Sequence, residues 1–265
     1  MSRLVTTFGS GDEFERGRAI LENYGFAYDV LSPEPGFRLV AVSALVVDED
    51  VRRELSRGGG HGFLCAGWVD HAPPQVPVPS HEPPAYPDDL FGRAAISVLA
   101  PCVADVSRIR IIAQVAGDLA PALPYLNAVM DRASYHPGAP VLTFMDGHRM
   151  VSVHSHRITV AKADEIVDAW RTLEEIRRRV GDVWARRAEI EPSFETRERP
   201  QALEIVRRLP RTNCKACHEP SCLAFAVKVW NGKATVADCT PVFAPEGAHL
   251  DLRGALEEVC TGLGV

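Results

Sequence analysis

Four cysteines gathered within 26 residues, Cys214, Cys217, Cys222 and Cys239, constrain this chain more than any other feature of its sequence. Their spacing is C-x2-C-x4-C-x16-C, and the remaining three, Cys65, Cys102 and Cys260, are scattered singly. The N-terminus lacks the apolar h-region of a signal peptide, so the chain reads as cytoplasmic, where thiols stay reduced and clustered cysteines bind metal rather than cross-link. A cubane presents its iron corners in different directions. A tight loop with three ligands plus a distant fourth suits that shape. Structural Cys₄ zinc more often uses two paired C-x2-C knuckles, and only one pair is present. The spacing therefore favours a [4Fe–4S] cluster held by Cys214, Cys217, Cys222 and Cys239, with a structural zinc site as the alternative.

Leu223–Trp230 has the apolar density of a buried helix, with Gly232 placed to end it in a left-handed conformation. The start of that helix would point its N–H groups at the cysteines. Between Glu195 and Thr240 there are eight basic and five acidic residues, against a formal net charge of −6 for the whole chain. That overall charge excludes a general basic field for nucleic acid, and no apolar run approaches the roughly 18–20 residues that span a bilayer.

Thr212-Asn213-Cys214, Cys217, Glu219-Pro220-Ser221-Cys222 and Ala224-Phe225-Ala226 resemble the four-cysteine [4Fe–4S] domain of the large subunit of the corrinoid iron–sulfur protein of the acetyl-CoA pathway. The resemblance covers about residues 208–242. It implies that the four cysteines take the ligand role by position, around a low-potential cluster that in that family passes electrons to a corrinoid. Two positions depart from the family: His218 stands where Gly is usual, and Thr240 separates Cys239 from Pro241. The rest of the chain does not resemble the corrinoid-binding or barrel parts, so corrinoid chemistry does not carry over. The implied partner is a larger redox, corrinoid or other metalloenzyme protein.

Ahead of the cysteines the chain reads as α+β. Residues 1–70 form a small α/β unit with strands at Leu4–Phe8, Phe26–Leu31 and Arg38–Val47 and helices at Asp12–Tyr24 and Asp48–Arg57, a ferredoxin-like pattern. Seven prolines between His71 and Asp89 mark 71–89 as a linker. Residues 90–199 form a platform: a strand at Arg108–Val115, a proline-interrupted helix at Asp118–Met130, and a hairpin of Val141–Met145 and Arg149–His154 turning at Asp146-Gly147. A strand at Arg157–Ala161 and a long helix over 162–190 complete it. Residues 200–265 are the cluster domain, entered by a short helix at Pro200–Leu209 and closed by a C-terminal helix.

Other chemistry-bearing residues read as structural. Cys65 and Cys102 are candidate sulfur-transfer thiols, but such cysteines are more often buried small hydrophobes. Gly58-Gly-Gly60-His61-Gly62 lacks the pattern of a phosphate loop and reads as a turn. His154 and His156 would share a strand face as a metal pair only if one strand carried both. Asp118, Asp146, Asp164 and Glu165 form no readable acid–base pair. The sequence thus points to an iron–sulfur electron-transfer or accessory protein, with no catalytic residue identified.

Overall fold

The computed structural model describes residues 3–57, 62–74, 80–130, 133–196, 201–231 and 233–263. The expected turn at Gly58–His61, the helix-ending Gly232 and the start of the helix at Pro200 lie outside them. The described residues form an α+β protein with two antiparallel sheets, and none of their helices is long and apolar enough to cross a membrane.

The first sheet comes from β1 (Arg3–Thr6), β2 (Asp29–Leu31), β3 (Ala44–Asp48) and β4 (Val69–Asp70), with α1 (Gly11–Asn23) and α2 (Glu49–Ser56) between strands. Its spatial order is β2-β3-β1-β4, the split β-α-β arrangement. Ser10-x-x-Glu13 starts α1 reciprocally: Ser10 Oγ accepts the Glu13 N–H and Glu13 Oε2 accepts the Gly9 N–H. β3 is buried on both faces. Leu45 and Val47 pack with Phe8, Phe14 and Leu21, whereas Ala44 and Val46 join the core shared with the second sheet. The expected strand over Arg38–Val47 begins only at Ala44, because Phe37 and Val40 are buried from a 3-10 turn at Pro35–Phe37 and the loop after it. Apolar density there signals burial, not strand.

The second sheet is a six-stranded antiparallel layer of β5 (Ala94–Cys102), β6 (Asp105–Val115), β7 (Ala133–His136), β8 (Val141–Asp146), β9 (Arg149–His154) and β10 (Arg157–Ala163), ordered β5-β6-β10-β9-β8-β7. Its inner face alternates along β6 as Ile109, Ile111, Ala113 and Val115, all buried. α3 (Leu123–Val129) and α4 (Ile166–Ala185) belong to the same core, Trp170, Leu173, Ile176 and Val180 of α4 among it. The hairpin pairs Asp146 with Arg149, so its two central residues are Gly147, at φ +58°, and His148, one position later than the Asp-Gly dipeptide suggests. α4 is shorter than the expected 162–190. β10 runs on through a bulge at Lys162, φ +66°, and the buried Glu165 carboxylate then accepts the Val167 and Asp168 N–H groups to start the helix.

The proline-rich stretch contains no helix or strand among its described residues, yet its second half is strapped to α4. The Tyr86 ring lies where a side chain at Gly181 would be, with a Cβ built there only 2.3 Å from it. Tyr86 donates its hydroxyl proton to Asp182 at 2.7 Å, Arg177 stacks over the ring, and Arg177 donates to the Pro84 carbonyl. At the far end of the platform, the buried Asn127 amide donates to the carbonyls of Ser193 and Glu195, pinning the chain where it leaves for the C-terminal unit.

That unit contains α5 (Ala202–Arg208), α6 (Cys222–Trp230), α7 (Thr240–Phe243) and α8 (Arg253–Leu263). Its core of Ile205, Leu209, Phe225, Ala226, Val229, Val242, Leu256 and Val259 draws, among the described residues, no buried residue from the rest of the chain.

Candidate metal centre

Cys214 and Cys217 lie on the loop between α5 and α6, Cys222 is the first residue of α6, and Cys239 immediately precedes α7. All four line one pocket, together with Leu209, Thr212, Asn213 and Phe225. Cys214 is exposed, Cys217 and Cys222 are half-buried, and Cys239 is buried.

The loop is built from residues that serve this gathering. Ser221 caps α6 by accepting the Ala224 N–H at 3.1 Å, and Asn213 Oδ1 accepts the Cys222 N–H at 2.8 Å, tying the first cysteine's neighbour to the third cysteine. Lys228 and Glu219 form an ion pair across the helix start. Five non-glycine residues in the described chain have left-handed backbone, and four of them, Arg211, Asn213, Lys215 and His218, flank Cys214 and Cys217 at φ between 50° and 62°. Each such residue costs roughly 1–2 kcal/mol unless its surroundings hold it. His218, the position where the resembling family has Gly, is thus one where Gly would be relaxed.

The thiols also differ electrically. Hydrogen bonds from the Ala216 N–H and the Thr212 hydroxyl hold Cys214 below the ordinary thiol value. Burial, followed by the proximity of Cys217, pushes Cys239 up to about 11, with Cys214 and Cys222 acting in the same sense and the Val242 N–H opposing. Cys239 therefore lies within the field of the other three thiols. Four thiolates this close are mutually repulsive, and a cationic core is what deprotonates and neutralises such a set. The donor set fits a thiolate-bound metal group. Among the described residues, no three His, Cys, Asp or Glu side chains converge tightly enough to share a single ion.

The three other cysteines do not join the pocket. Cys260 is buried in the C-terminal core, and burial pushes it up to about 11. Cys102 is buried at the end of β5, and Cys65 is half-buried beside the Phe8 cluster. His154 ends β9 while His156 sits in the turn before β10, its Nδ1 2.8 Å from the Gly117 carbonyl oxygen. One strand does not carry both, and the histidine pair is not formed. Asn213, Thr212 and Ser221 were not assigned roles from the sequence. Only Ser221 had a readable signal, a serine directly ahead of an apolar helical run.

Residues 209–241 match the family described as "Putative Fe-S cluster". Over this stretch the chain carries a segment of the iron–sulfur type. A segment of the chain is also 38% identical over 63 residues to the gamma subunit of the acetyl-CoA decarbonylase/synthase complex of Methanothermobacter thermautotrophicus, covering 23% of this chain and 14% of that protein. The corresponding gamma subunit of Methanocaldococcus jannaschii is 44% identical over 45 residues, 17% of this chain and 9% of the relative. The corrinoid/iron-sulfur protein large subunit of Moorella thermoacetica is 39% identical over 64 residues, 23% of this chain and 14% of the relative. The similarity is thus confined to a segment, and the chain spans about a seventh or less of these relatives' length. No solved structure matches the chain.

Proposed function

We propose that Cys214, Cys217, Cys222 and Cys239 hold a [4Fe–4S] cluster, and that the chain is a cytoplasmic electron-transfer or accessory protein serving a larger redox or corrinoid-dependent metalloenzyme. The observation that carries this reading is the single pocket lined by all four thiols, in which Cys239 is raised first by burial and then by the other three. Bound there, the cluster would supply one-electron transfer. Thr212 and the Ala216 and Val242 N–H groups already hydrogen-bond Cys214 and Cys239, the kind of contact that tunes a cluster's potential. Asn213 and Ser221 fix where Cys222 begins its helix. Metal–ligand bonds would hold the left-handed residues around Cys214 and Cys217 that the loop alone holds at a cost. The names of the relatives, subunits of an acetyl-CoA decarbonylase/synthase complex and of a corrinoid/iron-sulfur protein, support the kind of partner.

The competing reading is a structural zinc site. Four thiolates on one pocket can also hold a single zinc ion, at about 2.3 Å from each sulfur. Anaerobically purified protein should be brown, with about four irons and four sulfides per chain. Colourless protein with stoichiometric zinc would exclude the cluster. Single Ala variants of the four cysteines should lose or convert it, whereas Cys65→Ala, Cys102→Ala and Cys260→Ala should keep full iron content.

A further inference from the structure

A cleft of about 710 Å³ lies between the N-terminal unit and the second sheet, within the size range of small-molecule sites, and no cysteine lines it. Its walls are the Gly9-Ser10-Gly11 turn ahead of α1, the loop from Arg38 to Ser43, the start of β5 and the end of β6. The two units are fixed relative to one another beneath it. The Ala94 N–H donates to the Leu39 carbonyl at 2.8 Å, and Val5, Val40 and Val46 share a core with Phe91, Ile96 and Val115.

The lining is apolar below and cationic at the rim. Phe14, Leu39, Val42 and Val115 supply the apolar surface, and Arg38 and Arg93 the positive charge. Arg38 is engaged by Glu82, and the one acid of the lining, Glu15, is held by Arg18 at 2.8 Å. Arg93 is exposed and makes no ion pair or side-chain hydrogen bond among the described residues. Gly11 lines the cleft, and a Cβ added there meets nothing within 4 Å, so a larger side chain can be placed at this point of the lining.

We infer that this cleft binds a small organic anion, its apolar body against Phe14, Leu39 and Val42 and its carboxylate or phosphate on Arg93. A guanidinium matches either head group with two parallel hydrogen bonds, and desolvation of the apolar body adds to the binding.

The test uses the full chain with its cysteines intact, so its outcome is independent of the cluster. Anilinonaphthalene sulfonate fluorescence reports binding, with octanoate, octyl phosphate, octanol and inorganic phosphate as competitors. At least one of octanoate and octyl phosphate should displace the dye at concentrations about tenfold lower than octanol or inorganic phosphate, and the better of the two identifies the head group. Arg93→Gln should abolish the advantage over octanol, and Gly11→Gln, which adds bulk to the lining, should weaken dye binding about tenfold. Arg93 is exposed and Gly11 opens onto free space, so neither change disturbs the core, and circular dichroism checks that each variant is folded. No dye binding, equal displacement by octanol, equal displacement by inorganic phosphate, or an unchanged competitor ranking in Arg93→Gln would each overturn the inference. Unchanged dye binding in Gly11→Gln would place the dye elsewhere and overturn it as well.

Discussion

At the scale of single residues, the cysteine loop shows what spacing can and cannot reveal. That the four cysteines would meet in one pocket was legible from their spacing, which sets three of them on one short loop. The left-handed backbone at Arg211, Asn213 and Lys215 was not, since nothing in an Arg, Asn or Lys side chain announces a positive φ. His218 was visible only as a departure from Gly, and the structure gives that departure a physical meaning. His218→Gly should stabilise the protein by about 1 kcal/mol by relieving left-handed strain, measured as a shift in denaturation midpoint at unchanged iron content. A loss of stability would instead mean that the imidazole is held there by contacts worth more than the strain. Three other histidines give the fold a pH dependence. His71, His148 and His154 are all driven below the ordinary value, first by burial and then by Arg3, by Arg108 and Arg149, and by Arg157 respectively. The unfolded chain therefore takes up protons more readily than the fold. Stability is fully present above the unfolded value of about 6.5 and is lost as pH falls through it towards the folded values. The urea midpoint should be lower at about pH 5.5 than at about pH 7.5, and His→Asn at these positions should flatten the difference.

At the scale of elements, periodicity identified the β8–β9 hairpin and α4, where alternation and three- or four-residue spacing persist. It failed for β5, because register shifts at Ile96/Val98 and Pro101/Cys102 break the two-residue repeat, and for β7, which has only four residues. The proline-rich stretch was read as a linker from composition, which cannot show that Tyr86 docks on α4. Burial and the Asp182 hydrogen bond push the Tyr86 phenol up to about 12, so it stays a neutral donor. Gly181 makes room for it at the expense of helix propensity. Gly181→Ala should therefore destabilise, with overlap costing about 1–3 kcal/mol against a propensity gain of about 1 kcal/mol. In the Tyr86→Ala background the same change should be neutral or stabilising. Equal effects in both backgrounds, read from a double-mutant cycle, would mean that the strap does not occupy the notch.

At the scale of the whole molecule, the distribution of cores suggests how the parts depend on one another. The first sheet shares its buried face with the second, so the residues on either side of the proline-rich stretch bury one continuous apolar surface. The C-terminal unit has a separate core, and three of the four pocket cysteines, Cys217, Cys222 and Cys239, pack on or within it. A unit this small buries little apolar surface for its length, and such units commonly rely on a bound metal for stability. We propose residues 200–265 as a separable cluster domain whose folding is coupled to metal, and the platform as a body that stands without it. Removing iron from the full chain with a chelator under anaerobic conditions should raise amide hydrogen exchange in α5, α6 and α8 to near unfolded rates, because metal-binding free energy is folding free energy in such a unit. Exchange in β6, β9, β10 and α4 should stay slow. Uniform loss of protection across both regions would show that the platform depends on the centre, and the proposed division would fail. Unchanged protection in α5, α6 and α8 after complete iron loss would show that the core around Phe225 and Val229 holds the cysteine loop unaided. In that case a fragment of residues 200–265 should fold without metal and take up iron and sulfide afterwards.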